Sequence, residues 1–134
     1  MKLRPAQVLI ELTIALAVAM VAILALVQSS TKSVSNSAFS KSQTQATQYA
    51  SEAIEWLRNQ KNSSWPDFST NILASDKYCL NTLAWVAGTC SNNMTGLGFK
   101  RQLNVSGSLL TVTVTWDEKG RSFSAKQSIS FNQY

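Results

Sequence analysis

The sequence predicts an α+β protein: a long N-terminal α-helix packed on a small three-stranded antiparallel sheet. Three observations carry this expectation. No Pro or Gly occurs from Ala6 to Gln60, so nothing breaks helical hydrogen bonding over more than fifty residues. In the C-terminal third apolar residues alternate with polar ones: Leu110, Val112, Val114 and Trp116 share one face, and Phe123, Ala125, Ile129 and Phe131 share another. Between these regions Tyr49, Ala50, Ala53, Ile54 and Leu57 recur at helical spacing and form the stripe that would cover the apolar face of a sheet.

The helix begins as a membrane segment. Val8 to Val27 is a run of 20 residues interrupted only by Glu11 and Thr13. At a rise of about 1.5 Å per residue it spans roughly 30 Å, the thickness of a bilayer's hydrocarbon core. Lys2 and Arg4 precede it, so the positive-inside rule keeps the N-terminus cytoplasmic and exports the chain from about Gln28 onward. A cleaved secretory signal is the competing reading, but its apolar region is shorter, roughly 7 to 15 residues, and carries no carboxylate.

Glu11 needs a reason of its own. A charge at mid-bilayer costs about 2.5 to 3.5 kcal/mol on insertion scales, and such groups are usually paired. The bland alternative is that Glu11, one turn inside the span, snorkels to the headgroups. The segment "AQVLIELTIALAVAMVAILAL" resembles the N-terminal processing and assembly segment of type IV pilins and of the pseudopilins of type II secretion systems. The resemblance implies a leader of residues 1–6, cut after Ala6 by a cytoplasmic-side leader peptidase that then N-methylates Gln7. It makes Glu11 the fifth-position glutamate of the mature chain. Ala6 stands where Gly is usual in the family, and Pro5 precedes it. Paired with a neighbouring subunit's new α-amine, Glu11 would neutralise two otherwise costly charges and select the register of assembly.

Residues 7–28 are thus expected to be the transmembrane or filament-core helix and residues 29–61 its amphipathic continuation, together about 80 Å long. The middle, "QSSTKSVSNSAFSKSQTQATQ", is rich in weak helix formers and offers only Val34, Ala38 and Phe39 as apolar anchors. Farther on, Glu52, Glu55 and Arg58 lie mostly opposite the stripe, and Glu55 can pair with Arg58 three residues away. Accumulating Asn and Ser followed by Pro66 signal the helix end, and Trp56 and Trp65 read as packing residues at the junction with the head.

The head occupies residues 62–134. Residues 62–98 read as an irregular connecting loop, in which Gly96 and Gly98 permit a tight approach. Its two cysteines, Cys79 and Cys90, admit three readings: free thiols, a fragment of a metal site, or one disulfide. Export and a short loop of small polar residues favour the disulfide, worth about 2 to 3 kcal/mol by chain entropy. Strands are expected at about 99–106, 109–117 and 122–132, joined by turns at "SGS" and "DEKG". Asn62, Asn93 and Asn104 open Asn-X-Ser/Thr triplets, which a Ser/Asn-rich surface produces by composition alone.

Composition excludes several functions. The chain has no histidine, hence no catalytic triad, no Cys-His pair and no imidazole metal site. The adjacent carboxylates Asp117 and Glu118 read as turn residues, so no enzyme, metal or cofactor is expected. Of the net charge of +5, the part beyond residue 28 comes from ten basic and six acidic residues, scattered except for the pair Lys100-Arg101. That distribution argues against a nucleic-acid stripe.

The resemblance implies a structural subunit of a type IV pilus or pilus-like filament, lollipop-shaped, stored in the membrane as a prepilin and then placed on the cell surface. Its partners would be copies of itself, the leader peptidase, inner-membrane assembly machinery, other pilins, and lipid before assembly. Such filaments serve adhesion, motility, DNA uptake or secretion. Two alternatives stand beside it. One is a minor pilin or type II secretion pseudopilin that primes or caps a short filament. The other is a membrane-anchored binding module that never polymerises and holds a ligand in the 62–98 loop.

Overall fold

A computed structural model describes residues 5–94 and 98–131, with side chains from Gln7 onward. Lys2 and Arg4 of the expected leader, Gly96, and the end of the third expected strand lie outside the described residues, as does the side chain of Ala6. The chain is α+β. Helix α1 (Pro5–Ser63) is followed by α2 (Trp65–Ala74), β1 (Lys77–Cys79), β2 (Val86–Ala87), β3 (Phe99–Ser106), β4 (Leu109–Glu118) and β5 (Arg121–Ser130). The described residues fall into two compact units that divide between Ala38 and Phe39.

In the first unit α1 is unbroken, as the absence of Pro and Gly after Pro5 permits. The second unit holds the sheet, with strand order β2-β1-β3-β4-β5 and every pairing antiparallel. Five strands replace the three expected. The expected strands reappear as β3, β4 and β5. The two added ones have three and two residues, too short for period-two alternation to register.

Both long hairpins have two-residue turns. Ser106 pairs with Leu109 across Gly107-Ser108, with Gly107 at φ +59°. Glu118 pairs with Arg121 across Lys119-Gly120, at φ +52° and +75°. Two successive positive φ values match the right-handed twist of the flanking strands, and glycine takes the second without a Cβ penalty. Asp117 and Glu118, expected in this turn, are instead the last two residues of β4.

The expected loop at 62–98 is also corrected. Ser64 is extended and caps α2, its Oγ accepting from the Asp67 backbone N–H at 3.4 Å. Pro66 sits in the first turn, where its missing N–H has no intrahelical acceptor to lose, and Asp67 suits the positive end of the helix dipole. The residues that end α1 therefore begin a second helix. α2 buries Phe68, whose ring lies 5.3 Å from Phe131 and 5.9 Å from Trp85.

The core lies between α1 and one face of the sheet. Ala46, Ala50, Ala53, Ile54 and Leu57 of α1 are buried, as are Leu103 of β3 and Leu110, Val112, Val114 and Trp116 of β4. Their alternation along the strands is the one the sequence predicts. Tyr49 meets Phe99 edge-on at 5.3 Å, and Phe39 reaches Phe123 at 4.9 Å. Of the three anchors expected in the polar middle of the helix, Phe39 packs while Val34 and Ala38 are exposed. Trp56 packs on Trp85 at 5.1 Å and Trp65 on Phe68 at 5.9 Å, the packing role expected of both.

Replacing the fully buried Leu57 by Ala should destabilise the chain by about 2 to 5 kcal/mol, because it removes methyl groups and leaves a cavity in the core. Val34→Ala should change stability by less than about 0.5 kcal/mol. Thermal unfolding of the detergent-solubilised chain, followed by near-ultraviolet circular dichroism, separates the two.

Candidate functional site

Two places concentrate chemistry. In the first unit it is the apolar part of α1. Leu9, Ile10, Leu12, Ile14, Val18, Met20, Val21, Leu24 and Leu26 are each more than half exposed, and the helix is long and apolar enough to cross a membrane. Its hydroxyls satisfy themselves: Thr13 Oγ1 donates to the Ile10 carbonyl at 2.8 Å and Ser30 Oγ to the Leu26 carbonyl at 3.0 Å. Such back-bonding removes the cost of carrying a hydroxyl in hydrocarbon.

Glu11 has no comparable solution. It is exposed on α1, and among the described residues its carboxylate has no hydrogen-bond or ion-pair partner. Gln7 stands one turn earlier, at i−4, so the two share a helix face. The Ala6–Gln7 peptide lies in the first turn of α1, where backbone N–H groups have no intrahelical acceptors. Unwinding that turn sacrifices few hydrogen bonds.

The second place is Arg101. Its position in β3 puts it on the inner, apolar face with Phe99 and Leu103, and it is only 3% exposed. Burial of a guanidinium requires acceptors, and four groups supply them. Nε donates to the Leu80 carbonyl at 2.9 Å, Nη1 to the Tyr49 carbonyl at 3.1 Å and to Glu52 Oε2 at 2.6 Å, and Nη2 to the Asn81 carbonyl at 3.4 Å. Arg101 thus ties α1 to the segment after β1. The expected basic pair Lys100-Arg101 is split between opposite faces of the strand by its period of two. Spacing did predict the surface pair Glu55 with Arg58, which forms.

Cys79 and Cys90 form a disulfide, with Cα atoms 4.9 Å apart. The enclosed loop is held from inside as well. Gly88, at φ +103°, donates its N–H to the Lys77 carbonyl at 2.9 Å. Asn81 accepts the Arg101 backbone N–H at 2.9 Å and donates to the Asn92 carbonyl at 2.8 Å. Tyr78, next to the disulfide, is buried and donates its hydroxyl to the Asn71 carbonyl. Burial pushes its phenol above the ordinary value of 10.0, while a backbone hydrogen bond from Ser75 works in the opposite direction.

Sequence reasoning predicted the Cys79–Cys90 disulfide but missed the contact between Arg101 and Glu52. The available signal was an arginine at an inward position of an otherwise apolar strand face. No group of His, Cys, Asp and Glu among the described residues is arranged to hold a metal ion. No family model, curated protein or solved structure matches the chain.

Arg101→Ala should destabilise the head by at least about 2 kcal/mol, because several buried carbonyls lose their donor at once. Glu52 is half exposed, so Glu52→Gln should cost about 1 kcal/mol or less. Urea unfolding of both variants measures the ratio, and equal costs would mean that the ion pair, rather than the carbonyls, holds Arg101. Cys79→Ser with Cys90→Ser should lower stability by about 2 to 3 kcal/mol. Reductant should then have no further effect on the unfolding midpoint.

Proposed function

We propose that the chain is a structural subunit of a type IV pilus-like filament. The precursor crosses the membrane once with its N-terminus cytoplasmic and its head outside. A leader peptidase cuts it after Ala6 and methylates the new N-terminus at Gln7. The mature subunit is then drawn into a helical assembly of copies, with the apolar helices inside and the heads outside. The chain performs no chemistry itself.

The observation that carries this reading is Glu11. It is the only ionisable residue between 5 and 31, it stands on an exposed apolar helix, and it has no partner among the described residues. Cleavage at Ala6–Gln7 creates a cation four residues away. Within one chain a helix holds that amine and that carboxylate in fixed positions about one turn apart. Between chains, an axial shift brings the amine of one helix to the carboxylate of the next. A subunit in the wrong register leaves both charges unpaired in an apolar medium, at about 2.5 to 3.5 kcal/mol each on insertion scales. Apolar side chains pack in many registers, and this pair selects one.

The same reading accounts for the exposed apolar surface. Lipid covers it in the precursor and neighbouring helices cover it in the filament. The head is built for independence from either medium, with its own core, an internal disulfide and a buried Arg101 anchored to four acceptors.

Replacing Glu11 by Gln or Ala in the native host should abolish surface filaments while leaving the precursor in the membrane. Unchanged filaments in electron micrographs would defeat the assembly role. Mass spectrometry of the mature chain should give a mass that begins at Gln7 and carries one methyl group. A chain that still starts at Met1 would defeat processing.

A further inference from the structure

α1 covers only one face of the sheet, and the other face has a distinct chemistry. Strand register places its residues in rows. Lys77, Asn104, Thr111 and Ser128 lie across β1, β3, β4 and β5 in one row. Cys79, Gln102, Thr113 and Lys126 form the next, and Lys100, Thr115 and Ser124 the third. Thr111 and Ser128 hydroxyls join across the strands at 2.9 Å. With strands about 4.8 Å apart and same-face residues roughly 6.7 Å apart along a strand, the three lysines stand about 12 to 16 Å from one another around a centre of threonines and amides.

This face is cationic. Lys77 and Lys126 are exposed, Lys100 is half-buried, and none of the three has an ion-pair partner among the described residues. The face's carboxylate, Asp117, stands at the far end of β4 and accepts a hydrogen bond from Ser122. Its apolar side chains, Val86 and Leu109, lie at the margins, and among the described residues it carries no aromatic ring.

We propose that this outer face binds an acidic glycan. The lysines match carboxylate, sulfate or phosphate groups, and the hydroxyls and amides between them match sugar hydroxyls as both donors and acceptors. A sequence-tolerant single-stranded nucleic-acid surface uses aromatic platforms for base stacking, and none is present on this face among the described residues. A membrane-surface site inserts apolar side chains, and here they are absent from the centre. The assignment stands on the sheet alone and does not depend on whether the chain polymerises.

The test uses the full detergent-solubilised chain and immobilised polygalacturonate as the acidic glycan, with dextran as the neutral one. The wild type should bind polygalacturonate, release it at roughly 0.5 M salt, where screening is within about 5 Å, and ignore dextran. Changing Lys77, Lys100 and Lys126 together to Gln should weaken binding on the order of tenfold. Changing Lys32, Lys41 and Arg121 to Gln removes the same charge elsewhere and should leave binding within about twofold. Thr113→Val, neutral in charge, should weaken it about two- to fivefold by deleting one hydrogen bond at the centre. Thermal unfolding verifies that each variant folds, and the single Lys126→Gln on the edge strand, expected to lose about twofold, serves if the triple variant does not. Equal loss in both triple variants, no effect of Thr113→Val, or tighter binding of oligothymidylate or of phosphatidylglycerol vesicles than of polygalacturonate would overturn the assignment.

Discussion

The head depends on one contact, the packing of α1 side chains on the inner face of the sheet. Ala46, Ala50 and Ala53 are fully buried, with Ile54 and Leu57 buried on the same helix, and they share one core cluster with Leu103, Val112 and Val114. The helix contributes mostly small side chains to this core and the strands larger, branched ones. Around this seam the aromatic residues close the ends. Phe39 lies with Trp116 and Phe123 at one of them, and Phe68 with Trp85 and Phe131 at another. A helix whose polar middle has so few apolar anchors gains its order here from packing rather than from propensity.

Charge is handled in two opposite ways. Arg101 is buried in the head, and the chain itself provides everything it needs, from backbone carbonyls on α1 and after β1 to the carboxylate of Glu52. The result is a hydrogen-bonded joint between α1 and the segment after β1. Glu11 stands exposed on an apolar stretch of helix with no such provision among the described residues. A satisfied internal charge makes a rigid part. An unsatisfied one makes a demand on a neighbour, and the proposed filament role rests on that contrast.

Legibility followed the length over which a pattern repeats. The strands β3, β4 and β5 were readable because eight to ten residues of alternation outweigh any one exception. Their turns were readable because Gly107 and Gly120 take positive φ values that few other residues accept. β1 and β2 were not, because two or three residues carry no period, and their pairing is imposed by β3 and by the disulfide beside them. The segment after α1 was misread for a different reason. Ser64 and Pro66 are equally good at ending one helix and opening another, and the difference lies in Phe68, which gains a buried site against Trp85 and Phe131 only once the sheet exists.

By itself, then, the sequence determined the apolar span with its lone Glu11, the helical stripe that faces the sheet and the three long strands, and it favoured the pairing of Cys79 with Cys90 that the structure shows. These are local or periodic properties, set by hydrophobic spacing, by backbone freedom and by a cysteine count that allows one intrachain pair at most. Only the tertiary structure decided that Lys100 and Arg101, neighbours in the chain, face opposite environments: one joins a cationic polar surface, the other a buried joint with Glu52. The strand's period of two makes that division, but which face is covered depends on where α1 lies, and that is set by contacts between residues about fifty positions apart.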